Sequence, residues 1–118
     1  MFEKIAEVSL LYDFYGQLLS KRQREVMELY HEENLTLSEI AEEFSISRQG
    51  VHDALKNAEK TLMGYEEKLG LVAKFEETRE VIEGIDSRID EIIEENPHSP
   101  QLIKGLMDIK GIIDKLEE

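Results

Sequence analysis

The sequence predicts an all-α protein, and three observations carry that reading. Glu, Leu, Ile, Lys and Ala dominate while Val, Thr and aromatic residues are sparse, which is helix-forming material. No stretch alternates apolar and polar residues over a useful strand length. The only two prolines are Pro97 and Pro100, so no proline interrupts the chain before residue 97.

The first helix is expected over about Phe2–Tyr15. Ile5, Val8, Tyr12, Tyr15 and Leu19 recur at 3-4 spacing and form one stripe, with Gly16 near the end. A second helix starts at Ser20, with Gln23 three residues on as a capping box requires. Val26, Met27, Leu29 and Tyr30 supply its buried face, and His31–Leu35 is the expected connection. The third helix is short: Thr36 caps it, Glu39 returns the bond, and Leu35 and Ile40 form a hydrophobic staple before it ends near Phe44. The fourth repeats that grammar, with Ser47 as the cap and Ile46 and Val51 as the staple pair.

That fourth helix is long. Val51, Leu55, Ala58, Leu62, Tyr65, Leu69 and Val72 keep one stripe, and Gly70 marks its end. The stripe then changes phase: Phe75, Thr78, Ile82, Ile85, Ile89 and Ile92 form a new series up to about Glu95. Asn96-Pro-His-Ser-Pro100 is the clearest breaker in the chain. Ser99 caps a last helix with Pro100 at its first position, and Leu102, Leu106, Ile109, Ile113 and Leu116 form its stripe. Two parts result: a helix-turn-helix domain over 1–70, and a C-terminal helical extension over 71–118 that serves dimerisation or partner binding. The Ile/Leu seams of the extension suit an antiparallel hairpin or a homodimer.

Charge and composition exclude several classes. The chain of 118 residues carries 14 Lys+Arg against 27 Asp+Glu, a net charge of −13. Such a balance argues against indiscriminate coating of nucleic acid, yet exposed charges more than about 10 Å apart are largely screened, so a local basic face survives. No apolar run is long enough to span a membrane, and the N-terminus does not read as a signal peptide, which favours the cytoplasm. There is no cysteine, hence no disulfide, thiolate nucleophile or Cys-ligated zinc. His31, His52 and His98 stand apart with no paired spacing, and Asp86–Asp90 lacks the alternation and glycine of a calcium loop. The pairs Glu76-Glu77, Glu94-Glu95 and Glu117-Glu118 read as a solvated acidic face. No metal, no cofactor and no enzymatic constellation is expected.

The stretch from Leu37 to Lys56 is the informative one. Two helices crossing at about 90–120° need apolar residues where they touch and a small one where backbones approach. Ile40, Phe44, Ile46, Val51 and Ala54 are apolar at those places, Ala41 is small, and Ile46 is expected to point inward from the turn. Many such units place glycine at the turn, where φ is often positive; here Ser45 stands there, at a cost of about 1 kcal/mol. Ser47, Arg48, Gln49, His52, Asp53 and Lys56 remain outside the stripe, on the part of the helix that enters a major groove. Arg48 suits guanine O6/N7 and Gln49 suits adenine N6/N7. Ser47 and the helix N-terminus suit a phosphate, as do Lys56 and the cluster Lys21, Arg22 and Arg24. Asp53 is awkward there: it accepts from cytosine N4 or repels phosphate.

Leu19-Ser-Lys-Arg-Gln-Arg-Glu-Val-Met-Glu-Leu-Tyr, Leu37-Ser-Glu-Ile-Ala and Ser47-Arg-Gln-Gly-Val together resemble region 4 of bacterial sigma factors. The chain resembles the YlxM family more closely still, through Leu11-Tyr-Asp-Phe-Tyr-Gly-Gln-Leu-Leu, Ser47-Arg-Gln-Gly-Val-His-Asp and Tyr65-Glu-Glu-Lys-Leu. The resemblance covers residues 1 to about 95 well and the tail weakly. It implies a sigma region 4-like helix-turn-helix bundle with DNA-binding or regulatory function in the bacterial cytoplasm. It also implies a link to the signal recognition particle, because the family's genes sit beside those for the particle's GTPase and receptor. The polymerase-binding and melting regions of a full sigma factor have no counterpart here, so the chain is not expected to be a complete sigma factor. Three partners follow as expectations: DNA, signal recognition particle RNA, or a protein of the targeting pathway such as its GTPase, bound by the acidic helices.

Overall fold

The computed structural model describes the backbone of residues 2–117 and the side chains of residues 7–116. Six α-helices follow one another: α1 (Phe2–Tyr15), α2 (Lys21–Met27), α3 (Leu37–Phe44), α4 (Arg48–Leu69), α5 (Leu71–Glu95) and α6 (Pro100–Asp114). Among the described residues there is no strand. The chain divides into two compact units, Met1–Val72 and Ala73–Glu118.

The first unit is an all-α bundle centred on α4, which contacts α1, α2 and α3. Its core joins Val8, Leu11, Tyr15 and Leu19 to Val26 and Met27, Ile40 and Ala41, and Val51, Leu55, Ala58 and Leu62. Fully burying side chains of this size contributes about 1.5–3 kcal/mol each. The expected α1 stripe holds at Val8, Tyr15 and Leu19; Leu11 is buried beside it, Tyr12 is half-buried, and the Ile5 side chain lies outside the described residues.

The helix starts are where the sequence grammar is most exact in its consequences. Ser20 Oγ accepts from the Gln23 N–H at 3.2 Å, and Gln23 Oε1 accepts from the Ser20 N–H at 3.1 Å. Thr36 and Glu39 make the same reciprocal pair, both bonds at 3.1 Å. Each such cap is worth about 1 kcal/mol. The end of α2 departs from expectation. The helix does not stop at Tyr30 but passes into a π-helical turn over Glu28–Glu32, closed by Asn34 at φ 56° and by the Leu35 N–H bonding the Leu29 carbonyl at 2.9 Å. The wider turn rotates Tyr30 outward, so it is exposed, and Leu29 is only half-buried.

Between α3 and α4 the chain makes a Schellman turn. Ile46 N–H bonds the Ala41 carbonyl at 3.0 Å and Ser45 N–H bonds the Glu42 carbonyl at 3.2 Å, with Ser45 in the left-handed region at φ 55°. Ile46 does not point inward as expected: it is 39% exposed, its Cδ1 lying over Gly50 rather than in the core. Ile40 and Val51 fill the space between the two helices instead, both fully buried. α4 then runs to Gly70, whose φ of 63° ends it in the left-handed cap that a glycine adopts without strain. Leu69, expected in the stripe, is 55% exposed, and Val72 takes the buried place.

The second unit contains most of α5, the breaker, and α6. Lys110 on α6 reaches back to Asp86 and Asp90 on α5, which places the two helices antiparallel as a hairpin. The seam keeps Ile82, Ile89, Leu106 and Ile113 of the expected stripes and takes its other members from neighbouring positions. Ile82, Asp86, Ile89 and Ile93 line it from α5, and Ile103, Leu106, Lys110 and Ile113 from α6; of the described residues in this unit only Ile89 is fully buried. Phe75, Ile85, Leu102, Ile109 and Leu116 are exposed. Ser99 occupies the N-cap position with Pro100 after it, but its side chain makes no capping bond.

Candidate nucleic-acid interface

The exposed face of α4 holds the candidate site. At 100° per residue, Arg48, Gln49, His52, Asp53 and Lys56 fall within an arc of about 140° that adjoins but does not include the buried Val51, Leu55 and Ala58. All five are exposed. Packing of the buried stripe against α1, α2 and α3 therefore sets which way this arc faces.

The arc is partly tied up within itself. Gln49 Nε2 donates to Asp53 Oδ1 at 3.0 Å, and His52 Nδ1 stands 3.7 Å from the same oxygen. Arg48 and Lys56 have no ion-pair partner among the described residues. Ser47 Oγ is committed: it accepts from the Gly50 N–H at 3.0 Å and caps the helix. One of the amides expected to greet a phosphate is thus already satisfied by the cap.

The second cluster sits on a separate helix. Lys21 extends into solvent, 86% exposed, with Glu25 at 4.0 Å. Arg22 lays its guanidinium 4.3 Å over the Phe44 ring, so it braces α2 against α3. Arg24 lies in the last turn of α2. The structure joins Arg48, Gln49, His52 and Lys56 on one surface and leaves Lys21, Arg22 and Arg24 as a second group on α2.

A cleft of about 570 Å³ opens beside this face, and no motif in the residue pattern announces it. Val8, Leu35, Leu37 and Leu55 form apolar wall, while Tyr30, His31, His52, Lys56 and Glu59 supply polar groups. His52 and Lys56 are thus shared between cleft and helix face. His31 Nε2 is buried without a hydrogen-bond partner, 3.9 Å from Glu59 Oε1, and the Tyr30 ring meets the imidazole edge-on at 5.0 Å. Burial holds the His31 imidazole below the ordinary histidine range, and the Glu59 carboxylate opposes that shift in part. On the far side of the same π-helical turn, the Tyr12 hydroxyl donates to Glu28 Oε1 at 2.7 Å. Desolvation, then the Glu28 bond and charge, push the phenol up to about 12. Only the π-helical turn explains why Tyr30 and His31 sit here, and no spacing rule applied to the residues foretells it.

Among the described residues no group of His, Asp or Glu side chains is placed to hold a metal ion, and no helix is long and apolar enough to cross a membrane.

Comparison with known proteins fits this geometry. A family model described as "Putative helix-turn-helix protein, YlxM / p13 like" matches residues 2–103. The chain is 45% identical over 113 residues to the UPF0122 protein of Desulforamulus reducens, which covers 95% of this chain and 92% of the relative. It is 45% identical over 109 residues to a UPF0122 protein of Thermoanaerobacter pseudethanolicus, covering 92% of each. A Bacillus cereus relative is 39% identical over 117 residues, covering 99% of this chain and all of its own length. With a family match and relatives that span nearly the whole length, the chain belongs to the UPF0122 family of YlxM / p13-like proteins.

Proposed function

We propose that this protein is a helix-turn-helix regulator that binds duplex DNA through the exposed face of α4. The observation that supports it most is the pairing of a tightly capped α3–turn–α4 unit with two cations, Arg48 and Lys56, that have no ion-pair partner among the described residues. An α-helix fits the major groove of B-form DNA, whereas the major groove of A-form RNA is too narrow for side chains to read. Arg48 takes a guanine, Gln49 an adenine, and His52 and Lys56 extend the contact toward the backbone. Lys21 and Arg24 supply phosphate contacts from α2, and Arg22 contributes chiefly by bracing Phe44.

The C-terminal hairpin extends this reading to a homodimer. A two-helix unit of this size with one fully buried residue needs further cover. Leu102, Ile109 and Leu116 recur every seven residues on its open surface, with Ile112 beside them, which is the spacing of a helix-packing stripe. A second copy of the hairpin provides that cover, and Ile112→Asp then yields a folded monomer by light scattering. In this reading the protein acts in the cytoplasm, and the link to the signal recognition particle is the one that the family resemblance implies.

A second reading has its own support. The hairpin's exposed acids, Glu76, Glu77, Glu94 and Glu95 among them, suit a basic protein or an adaptor role beside the particle's RNA or GTPase. Fluorescence anisotropy against labelled duplex DNA and against signal recognition particle RNA, at low and at physiological salt, separates the two. Binding of DNA that weakens in Arg48→Ala and Lys56→Ala, with unchanged circular dichroism, supports the regulator. RNA binding alone, or binding of neither, overturns it in favour of the adaptor.

A further inference from the structure

Resting on the reading of α4 as a DNA-binding helix, we infer that Asp53 is a positioning residue that makes Gln49 select adenine. A glutamine amide reads adenine with two different atoms: its oxygen accepts from N6 and its nitrogen donates to N7. A free glutamine flips its amide, which exchanges donor and acceptor and erases the distinction. Here Gln49 Nε2 is held by Asp53 Oδ1 at 3.0 Å, one turn along the helix. The pair is of the i, i+4 type that stabilises helix surfaces. The bond settles which end of the amide is nitrogen. It uses one of the two N–H groups, so Oε1 and the second N–H stay free for the base edge.

This gives a carboxylate on a DNA-facing surface a use. Left alone, Asp53 repels phosphate and weakens every duplex alike. It stays exposed and keeps that cost, but one of its oxygens holds the Gln49 amide at 3.0 Å and faces His52 Nδ1 at 3.7 Å. Arg48, one residue before Gln49, has no such carboxylate tie among the described residues. Two neighbouring reading groups therefore differ: Gln49 arrives already oriented by a side-chain bond, and Arg48 does not. Ordering Gln49 before binding lowers the rotamer entropy lost on contact.

The charge and the positioning effects of Asp53 can be separated. Asp53→Asn removes the charge and keeps an oxygen that accepts from Gln49. Asp53→Ala removes both. The experiment selects bound duplexes from a random-core DNA library with the wild-type chain, then identifies the base position at which Gln49→Ala loses its preference. That position is expected to be adenine, favoured by about 10-fold or more over the other bases. Asp53→Asn is expected to bind all duplexes more tightly and keep the adenine preference. Asp53→Ala is expected to bind all duplexes more tightly and lose most of that preference. Thermal melts of each variant check that the fold is retained. An unchanged preference in Asp53→Ala, or a base other than adenine at the Gln49-dependent position, overturns the inference while leaving the DNA-binding reading intact. A wild-type chain that enriches no duplex overturns the DNA-binding reading itself, and this inference with it.

Discussion

The Tyr15 hydroxyl and the Glu66 carboxylate, 51 residues apart in sequence, meet at 2.5 Å where the first backbone amides of α5 need partners. The same hydroxyl accepts from the Leu71 N–H at 3.1 Å, and the same Glu66 oxygen accepts from the Val72 N–H at 2.9 Å. The first amides of a helix have no partner within the helix, and two side chains from α1 and α4 take the place of an N-cap residue. Burial, then the Glu66 bond, raise the Tyr15 phenol above its ordinary range, so the hydroxyl keeps its proton and its donor role through neutral pH. We expect Tyr15→Phe and Glu66→Gln each to lower the melting temperature. In the double variant the losses should be less than additive, because both singles break one network. Additive losses in calorimetry would show that the two groups act separately.

Ser45 sits at φ 55°, in the left-handed region that costs an L-residue roughly 1–2 kcal/mol. Ser45→Gly relieves most of that, less the extra chain entropy that glycine loses. A gain of about 0.5–1 kcal/mol in urea unfolding is expected. Asn34, at φ 56°, is strained less, because its amide tolerates that region. No gain at Ser45 would mean that the serine makes up the strain elsewhere.

His31 links pH to stability. Its folded value lies below the ordinary 6.5, so the unfolded chain takes up the proton first. Stability contributed by the neutral, buried imidazole is complete above about pH 6.5 and is lost as pH falls toward the folded value. Glu59 faces the ring from α4 and resists this loss. Urea midpoints for wild type should therefore fall between neutral and mildly acid pH. His31→Phe should flatten that fall, and Glu59→Gln should steepen it. A wild-type slope that survives unchanged in His31→Phe would assign it to other groups.

Among the described residues Lys110 is the one cation in the hairpin seam, 2.6 Å from Asp90 and 3.4 Å from Asp86. The Asp90 bond, together with Asp86, raises the ammonium above the ordinary lysine range. Its contribution is therefore present throughout neutral pH and lost only in strong alkali, as pH rises through that raised value. Lys110→Glu places a third carboxylate beside the two aspartates, and should reduce helicity in the far-ultraviolet and lower the melting temperature. Lys110→Met suits the apolar seam but leaves both aspartates unpaired, and should be the milder change. Equal melting of Lys110→Glu and wild type would remove the ion pairs from the account of hairpin register.

Local grammar was legible in the residues and longer-range geometry was not. Ser20, Thr36 and Ser47 announce their helices, because a cap is decided within four residues. Gly70 and Pro100 mark their boundaries for the same reason. The α4 stripe, and with it the face carrying Arg48 and Lys56, also follows from period alone. Ile46 is apolar without being buried, because the Schellman turn places that residue over the outside of Gly50. The hairpin seam keeps Ile82, Ile89, Leu106 and Ile113 of the apolar pattern, but Asp86 and Lys110 take seam positions that apolar periodicity does not mark. The roles of Glu66 and Asp53 depend on where another side chain ends, and a linear pattern of polar residues does not hold that information.

The π-helical turn at Glu28–Glu32 acts as a phase shifter. Each residue added to or removed from a helix turns everything beyond it by about 100°. Deleting one residue from this turn would let it relax to ordinary α geometry. The same deletion would swing the remaining aromatic and imidazole side chains to new bearings and misalign the approach to the Thr36 cap. The length of this segment is consequently under tighter control than its chemistry. Substitutions that keep the count should be absorbed within it, whereas loss of a single codon should be felt as far away as the second helix of the helix-turn-helix.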